Sequence, residues 1–86
     1  MNRSITFYVA KDSEGNTVQR AVIPTEAEAW DFTTQLLARE EAIKRVIFYD
    51  SQFAFVNALS KPTYLKHEDD VISEEDKQAL LILEAL

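Results

Sequence analysis

The first apolar residues of the chain alternate. Ile5, Phe7 and Val9 interleave with Thr6, Tyr8 and Ala10, a period of two that predicts a β-strand. Asp12-Ser13-Glu14-Gly15-Asn16 is turn chemistry, in which Gly15 and Asn16 tolerate the positive φ a hairpin needs. Thr17 to Ile23 reads as the return strand, with Val18, Arg20 and Val22 on one face and Gln19, Ala21 and Ile23 on the other; Pro24 ends it. The period then changes. Thr25-x-x-Glu28 has the form of a capping box, and Glu26 and Glu28 suit the positive end of a helix dipole. Over 26–41, Ala29, Trp30, Phe32, Thr33, Leu36 and Leu37 share one arc while Glu28, Asp31, Gln35 and Arg39 fall opposite, which predicts an amphipathic helix with the Trp30 and Phe32 stripe in the core.

Lys44 to Asp50 contains four consecutive apolar residues, Val46 to Tyr49, and predicts a central strand covered on both faces. Gln52 to Leu59 fits either a strand after a tight Asp50-Ser51 turn or a short helix capped by Ser51 and ended before Pro62; the strand is preferred. Residues 60–72 read as a loop with a short extended piece around Tyr64-Leu65. Ser73 caps the last helix, whose first turn carries Glu74, Glu75 and Asp76. Ala79 to Leu83 is an unbroken apolar run followed by Ala85 and Leu86, so this helix must pack on more than one side.

The order β-β-α-β-β-α predicts an α+β fold: a mostly antiparallel sheet with the helices on one face or at one edge. At 86 residues the chain makes one domain, 1–86. Neither an internal repeat nor a linker is visible along it. Apolar residues are 47% of the total, normal for a globular protein. No apolar run reaches the roughly 20 residues of a membrane span, and the N-terminus lacks the pattern of a signal peptide. Cysteine is absent, which excludes disulfides and thiol chemistry and fits a reducing cytoplasm.

Charge is uneven. The net charge is −6, with +1 over residues 1–24, −4 over 25–42, +3 over 43–66 and −6 over 67–86. An acidic chain repels phosphate backbones, so direct nucleic-acid binding is not expected. The basic segment Lys44, Arg45, Lys61 and Lys66, with Tyr49, Phe53, Phe55 and Tyr64 nearby, has the residue types for stacking single strands. Core-filling phenylalanines and edge-protecting lysines account for it better. His67 beside Glu68, Asp69 and Asp70 lacks the spacing and the glycine of a calcium loop, and reads as a surface residue in a solvated acidic run. Gly15 is the only glycine, which rules out glycine-rich phosphate cradles. No serine has the flanking glycines of a nucleophile elbow. The sequence therefore predicts a non-enzyme without metal or cofactor.

The hairpin, the Thr25-x-x-Glu28-Ala29 helix and the strand after it resemble the plan of some small phage proteins that inhibit host enzymes. Glu74-Glu75-Asp76-Lys77-Gln78 resembles the start of the last helix in the DinI family, acidic proteins that bind the RecA recombinase, although the Ile5–Ile23 hairpin departs from that family's order. Both resemblances imply a small acidic domain that occupies a basic surface on a nucleic-acid enzyme. The first functional expectation is accordingly an anti-CRISPR-like inhibitor or regulator. Its partner-facing acids would be Glu26, Glu28, Asp31, Glu68, Asp69, Asp70, Glu74, Glu75 and Asp76, and its binding would be salt-sensitive. The alternative is an assembly module that homodimerises through Leu80, Leu81, Leu83 and Leu86 of the last helix, with apolar, salt-tolerant association. A third class, a ligand binder or small enzyme with a pocket between sheet and helices, has no specific residue behind it.

Overall fold

The alternating segments pair into a single four-stranded antiparallel sheet. The computed structural model of the chain describes residues 5–23, 26–64 and 70–86, and the side chains of Glu26 and Ala27 fall outside that description. The elements are β1 (Phe7–Lys11), β2 (Thr17–Val22), α1 (Glu26–Arg39), β3 (Arg45–Tyr49), β4 (Phe55–Ser60) and α2 (Glu74–Ala85). The order across the sheet is β2-β1-β3-β4. This is the α+β arrangement the pattern predicts, and Gln52–Leu59 resolves to a strand from Phe55, with residues 52–54 in the turn before it. The cap at Thr25, the end at Pro24 and the piece at Leu65 lie outside the described residues.

The two hairpins follow one backbone plan. In β1–β2, Ala10 pairs with Gln19 and Lys11 with Thr17, leaving Val18 as a bulge. In β3–β4, Phe48 pairs with Asn57 and Tyr49 with Phe55, leaving Val56 as a bulge. Equivalent positions differ by 38 residues throughout, as Asp12 and Asp50 or Val18 and Val56 do. The loops match bond for bond. Asp12 N–H donates to Asn16 O at 3.0 Å, as Asp50 N–H donates to Ala54 O at 3.0 Å. The Asp12 carboxylate accepts from the N–H groups of Glu14 and Asn16, and the Asp50 carboxylate from those of Gln52 and Ala54. β1 pairs with β3 about the Val9–Ile47 pair, so a local two-fold axis there exchanges the hairpins. The chain thus holds a repeat that the sequence reading misses, because between the hairpin segments 5–23 and 43–61 only Ile5/Ile43, Asp12/Asp50, Ser13/Ser51 and Val18/Val56 are identical.

The left-handed residue of each loop differs. Gly15 has φ 84° and Phe53 has φ 62°. Glycine takes this conformation freely, whereas a residue with a Cβ pays about 1–2 kcal/mol. Phe53 is held there by its ring, which stacks on Phe7 at 4.8 Å between centroids and an 18° interplanar angle.

The helices break the two-fold symmetry. They stand on opposite faces of the sheet instead of together on one face or edge. Even-numbered residues of the inner strands, Tyr8, Ala10, Val46 and Phe48, pack with Ala29, Trp30, Leu36 and Leu37 of α1. Odd-numbered ones, Phe7, Val9, Ile47 and Tyr49, pack with Ile72 and with Leu80 of α2. Because β1 and β3 are apolar at successive positions, each face needs its own cover. Trp30 lies 5.2 Å from Phe48 between ring centroids, and Thr33 is buried with its hydroxyl donating to Ala29 O. Phe32, expected in the core, is half exposed, since α1 sits toward β3 and leaves the outer strand β2 partly uncovered.

Candidate functional site

α2 and the segment leading into it gather most of the residues singled out by sequence. Ser73 caps the helix, its hydroxyl accepting from Asp76 N–H at 3.1 Å. Capping leaves Glu74, Glu75 and Asp76 in the first turn, where the helix dipole favours negative charge. Their surroundings then diverge. Asp76 is buried at 3% exposure. Its carboxylate accepts from Thr17 Oγ1 at 2.9 Å and from Arg20 Nε at 2.5 Å. Asp76 is therefore a tie between α2 and β2, and the sequence reading that placed it on a partner-facing surface is corrected: the register sets Arg20 and Thr17 on the face α2 covers.

Asp70 is likewise engaged within the chain. Arg45 grips both its carboxylate oxygens, with Nε at 3.0 Å from Oδ1 and the second contact from Nη2 to Oδ2. The same guanidinium reaches Ser60 Oγ and lies 5.6 Å from the Tyr64 ring centroid. Tyr49 Oη donates to the Asp70 carbonyl oxygen at 2.9 Å. Burial pushes the Tyr49 phenol well above its ordinary value, and the negative charges of Asp70 and Asp76 push it further against the opposing pull of Arg45. Burial also raises Tyr8. Asp12 is held below the usual carboxylate range by the backbone N–H groups of its loop, that of Asn16 first.

The remaining acids occupy separate places. Glu74 and Glu75 have side chains 81% and 88% exposed, Glu74 facing Lys77 at 3.3 Å and Glu75 lying 3.8 Å from Arg20. Glu28 and Asp31 are exposed on α1, across the sheet from α2. The Glu26 side chain, Glu68 and Asp69 lie outside the described residues, as do Lys66 and His67. The acids among the described residues do not form one face, because α1 with Glu28 and Asp31 and α2 with Glu74, Glu75 and Asp76 are on opposite sides of the sheet. In the basic segment, Arg45 is bound to Asp70 and Lys61 Nζ donates to Glu40 O at 2.8 Å; Phe55, expected inside, is substantially exposed.

The apolar run of α2 also splits. Leu80 is wholly buried against the sheet, which corrects its placement in an oligomer interface. Leu81, Ile82, Leu83 and Leu86 remain exposed. Ala79, Ile82, Leu83 and Leu86 are spaced i, i+3, i+4 and i+7, so they form one stripe, while Leu81 stands three and four residues from Gln78 and Lys77 on the polar flank. Ile82 is the member the sequence reading left out, although its spacing announced it.

Among the described residues no three histidine, cysteine, aspartate or glutamate side chains are grouped so as to hold a metal ion, and no helix is long and apolar enough to cross a membrane. Comparison with family models, curated proteins and solved structures finds no match for the chain.

Proposed function

We propose that the chain is a non-catalytic assembly module that forms a homodimer through α2. The carrying observation is the exposure of Ile82, Leu83 and Leu86, at 63%, 40% and 93%, along a stripe that α2 does not turn to its own sheet. A helix with one apolar stripe needs one neighbour; α2 has two, and Leu80 accounts for the first. A second copy supplies the other neighbour with an identical stripe, which is what an isologous two-fold contact requires. Burying such side chains is favourable by about 1.5–3 kcal/mol each, enough for a few residues to drive association of a small domain.

The test is molar mass in solution by light scattering for the wild type, Ile82→Asp and Leu83→Asp, with circular dichroism to establish folding. A dimeric wild type and folded, monomeric variants are expected. A wild type that stays monomeric at high micromolar concentration refutes the proposal.

One observation favours the acidic regulator as a second reading: Glu74 and Glu75 are both strongly exposed at the start of α2. In that reading, among the described acids of α2 and the segment leading into it, these carboxylates engage a basic protein, since Asp70 and Asp76 are occupied within the chain. Binding would weaken with salt and with Glu74→Lys/Glu75→Lys; salt-independent capture of the same partner by that variant would exclude it.

A further inference from the structure

We infer that the cleft between β2 and α1 takes an extended peptide with basic ends, which adds to the sheet as a fifth strand. The inference goes beyond the dimer proposal and is independent of it, because this cleft is on the face opposite α2. β2 is an edge strand. Ile23 N–H donates inward to Thr6 O at 2.7 Å, so the alternation of an antiparallel ladder turns the backbone groups of Arg20 and Val22 to the open edge. Beside that edge run two cavities that share Gln19. One, of about 390 Å³, is lined by Tyr8, Ala21, Ile23, Ala29 and the half-exposed Phe32. The other, of about 260 Å³, is lined by Val18, Leu36, Ala42 and Ile43.

An edge that offers backbone bonds, beside pockets in line along it, is the arrangement used in strand addition. The main chain of the incoming segment bonds to the edge, and its alternate side chains enter the pockets. Charge selects the occupant. Glu28 is among the residues lining the first cavity and Glu40 among those lining the second, and both are exposed, so each cavity has an acidic residue on its lining. An apolar segment with a lysine or arginine at each end complements this, and an acidic one is repelled.

The test uses 15N-labelled full-length protein and three short amide-capped peptides. The first alternates threonine with valine and leucine and has a lysine at each end. The second has glutamate in place of each lysine, and the third keeps the lysines but has a central proline. Saturable shifts of the Arg20 and Val22 amides with the lysine peptide are expected, with binding at least tenfold weaker for the other two and for Phe32→Ala. Glu28→Lys/Glu40→Lys should reverse the preference toward the glutamate peptide. The inference is overturned if the lysine peptide leaves Arg20 and Val22 unmoved, or if all three peptides bind alike. It is also overturned if these amides are protected without peptide and become exposed on dilution, because a second copy then holds the edge.

Discussion

Asp76 and Glu75 are adjacent and carry the same charge, yet the chain uses them differently. Asp76 is buried and accepts from Thr17 and Arg20, while the Glu75 side chain is 88% exposed and 3.8 Å from the same guanidinium. Removing a buried acceptor leaves its donors unsatisfied, at a cost of about 1–3 kcal/mol, whereas an exposed pair is worth well under about 1 kcal/mol. Asp76→Ala should therefore lower the urea-unfolding free energy by about 2 kcal/mol, and Glu75→Ala should leave it within about 0.5 kcal/mol. Equal effects would mean that Asp76 does not tie α2 to β2. Phe53 poses a second contest at this scale, between backbone and ring. Truncation to alanine loses the stack on Phe7 and keeps the left-handed backbone; truncation to glycine loses the stack and relieves the backbone. Phe53→Gly should therefore be more stable than Phe53→Ala by about 1 kcal/mol, the reverse of the order at positions with negative φ.

Strands and helices were legible because their periods are clean. Alternation at Ile5–Ala10, the Ser73 cap and the continuous Val46–Tyr49 run each dictate one local structure, and the observed elements follow. The repeat was not legible. Its geometry is carried by backbone bonds to Asp12 and Asp50 and by bulges at Val18 and Val56, which the remaining side chains do not echo; glycine in one loop even corresponds to phenylalanine in the other. The side of the sheet each helix covers was also hidden, since inner strands apolar at successive positions demand two covers without saying which helix supplies which. At the candidate site the α2 stripe was legible from spacing, but the division of its acids was not, because Asp76 meets Arg20 only through a contact 56 residues apart in sequence. The repeated loop has a consequence under acid. The folded state holds Asp12 below its ordinary value of 3.8, so the loop's stabilisation is present above that value and is lost as pH falls through the folded one. A carboxyl NMR titration should find Asp12 ionising below 3.8, and a midpoint above it would contradict the bonding described.

For the molecule as a whole, Tyr49 joins the centre of the sheet to the segment that precedes α2, and this makes the fold sensitive to alkali. The unfolded chain ionises its tyrosines from about pH 10, while burial and the neighbouring carboxylates keep Tyr49 protonated in the folded state, and burial holds Tyr8 in the same direction. The folded state then binds more protons than the unfolded one above pH 10, so stability is full below the unfolded value and falls as pH rises beyond it. Tyr49 contributes a slope of up to about 1.4 kcal/mol per pH unit in that range, and Tyr8 acts in the same direction. Tyr49→Phe separates this from the phenol's hydrogen bond. At pH 7 the variant should lose about 1 kcal/mol with the bond to the Asp70 carbonyl, yet its stability should decline less steeply in alkali, so its curve approaches that of the wild type above pH 10. Urea unfolding from pH 7 to pH 11.5, with tyrosinate absorbance followed in parallel, measures both terms. Parallel curves would place the alkaline sensitivity elsewhere, with Tyr8 the next group to replace.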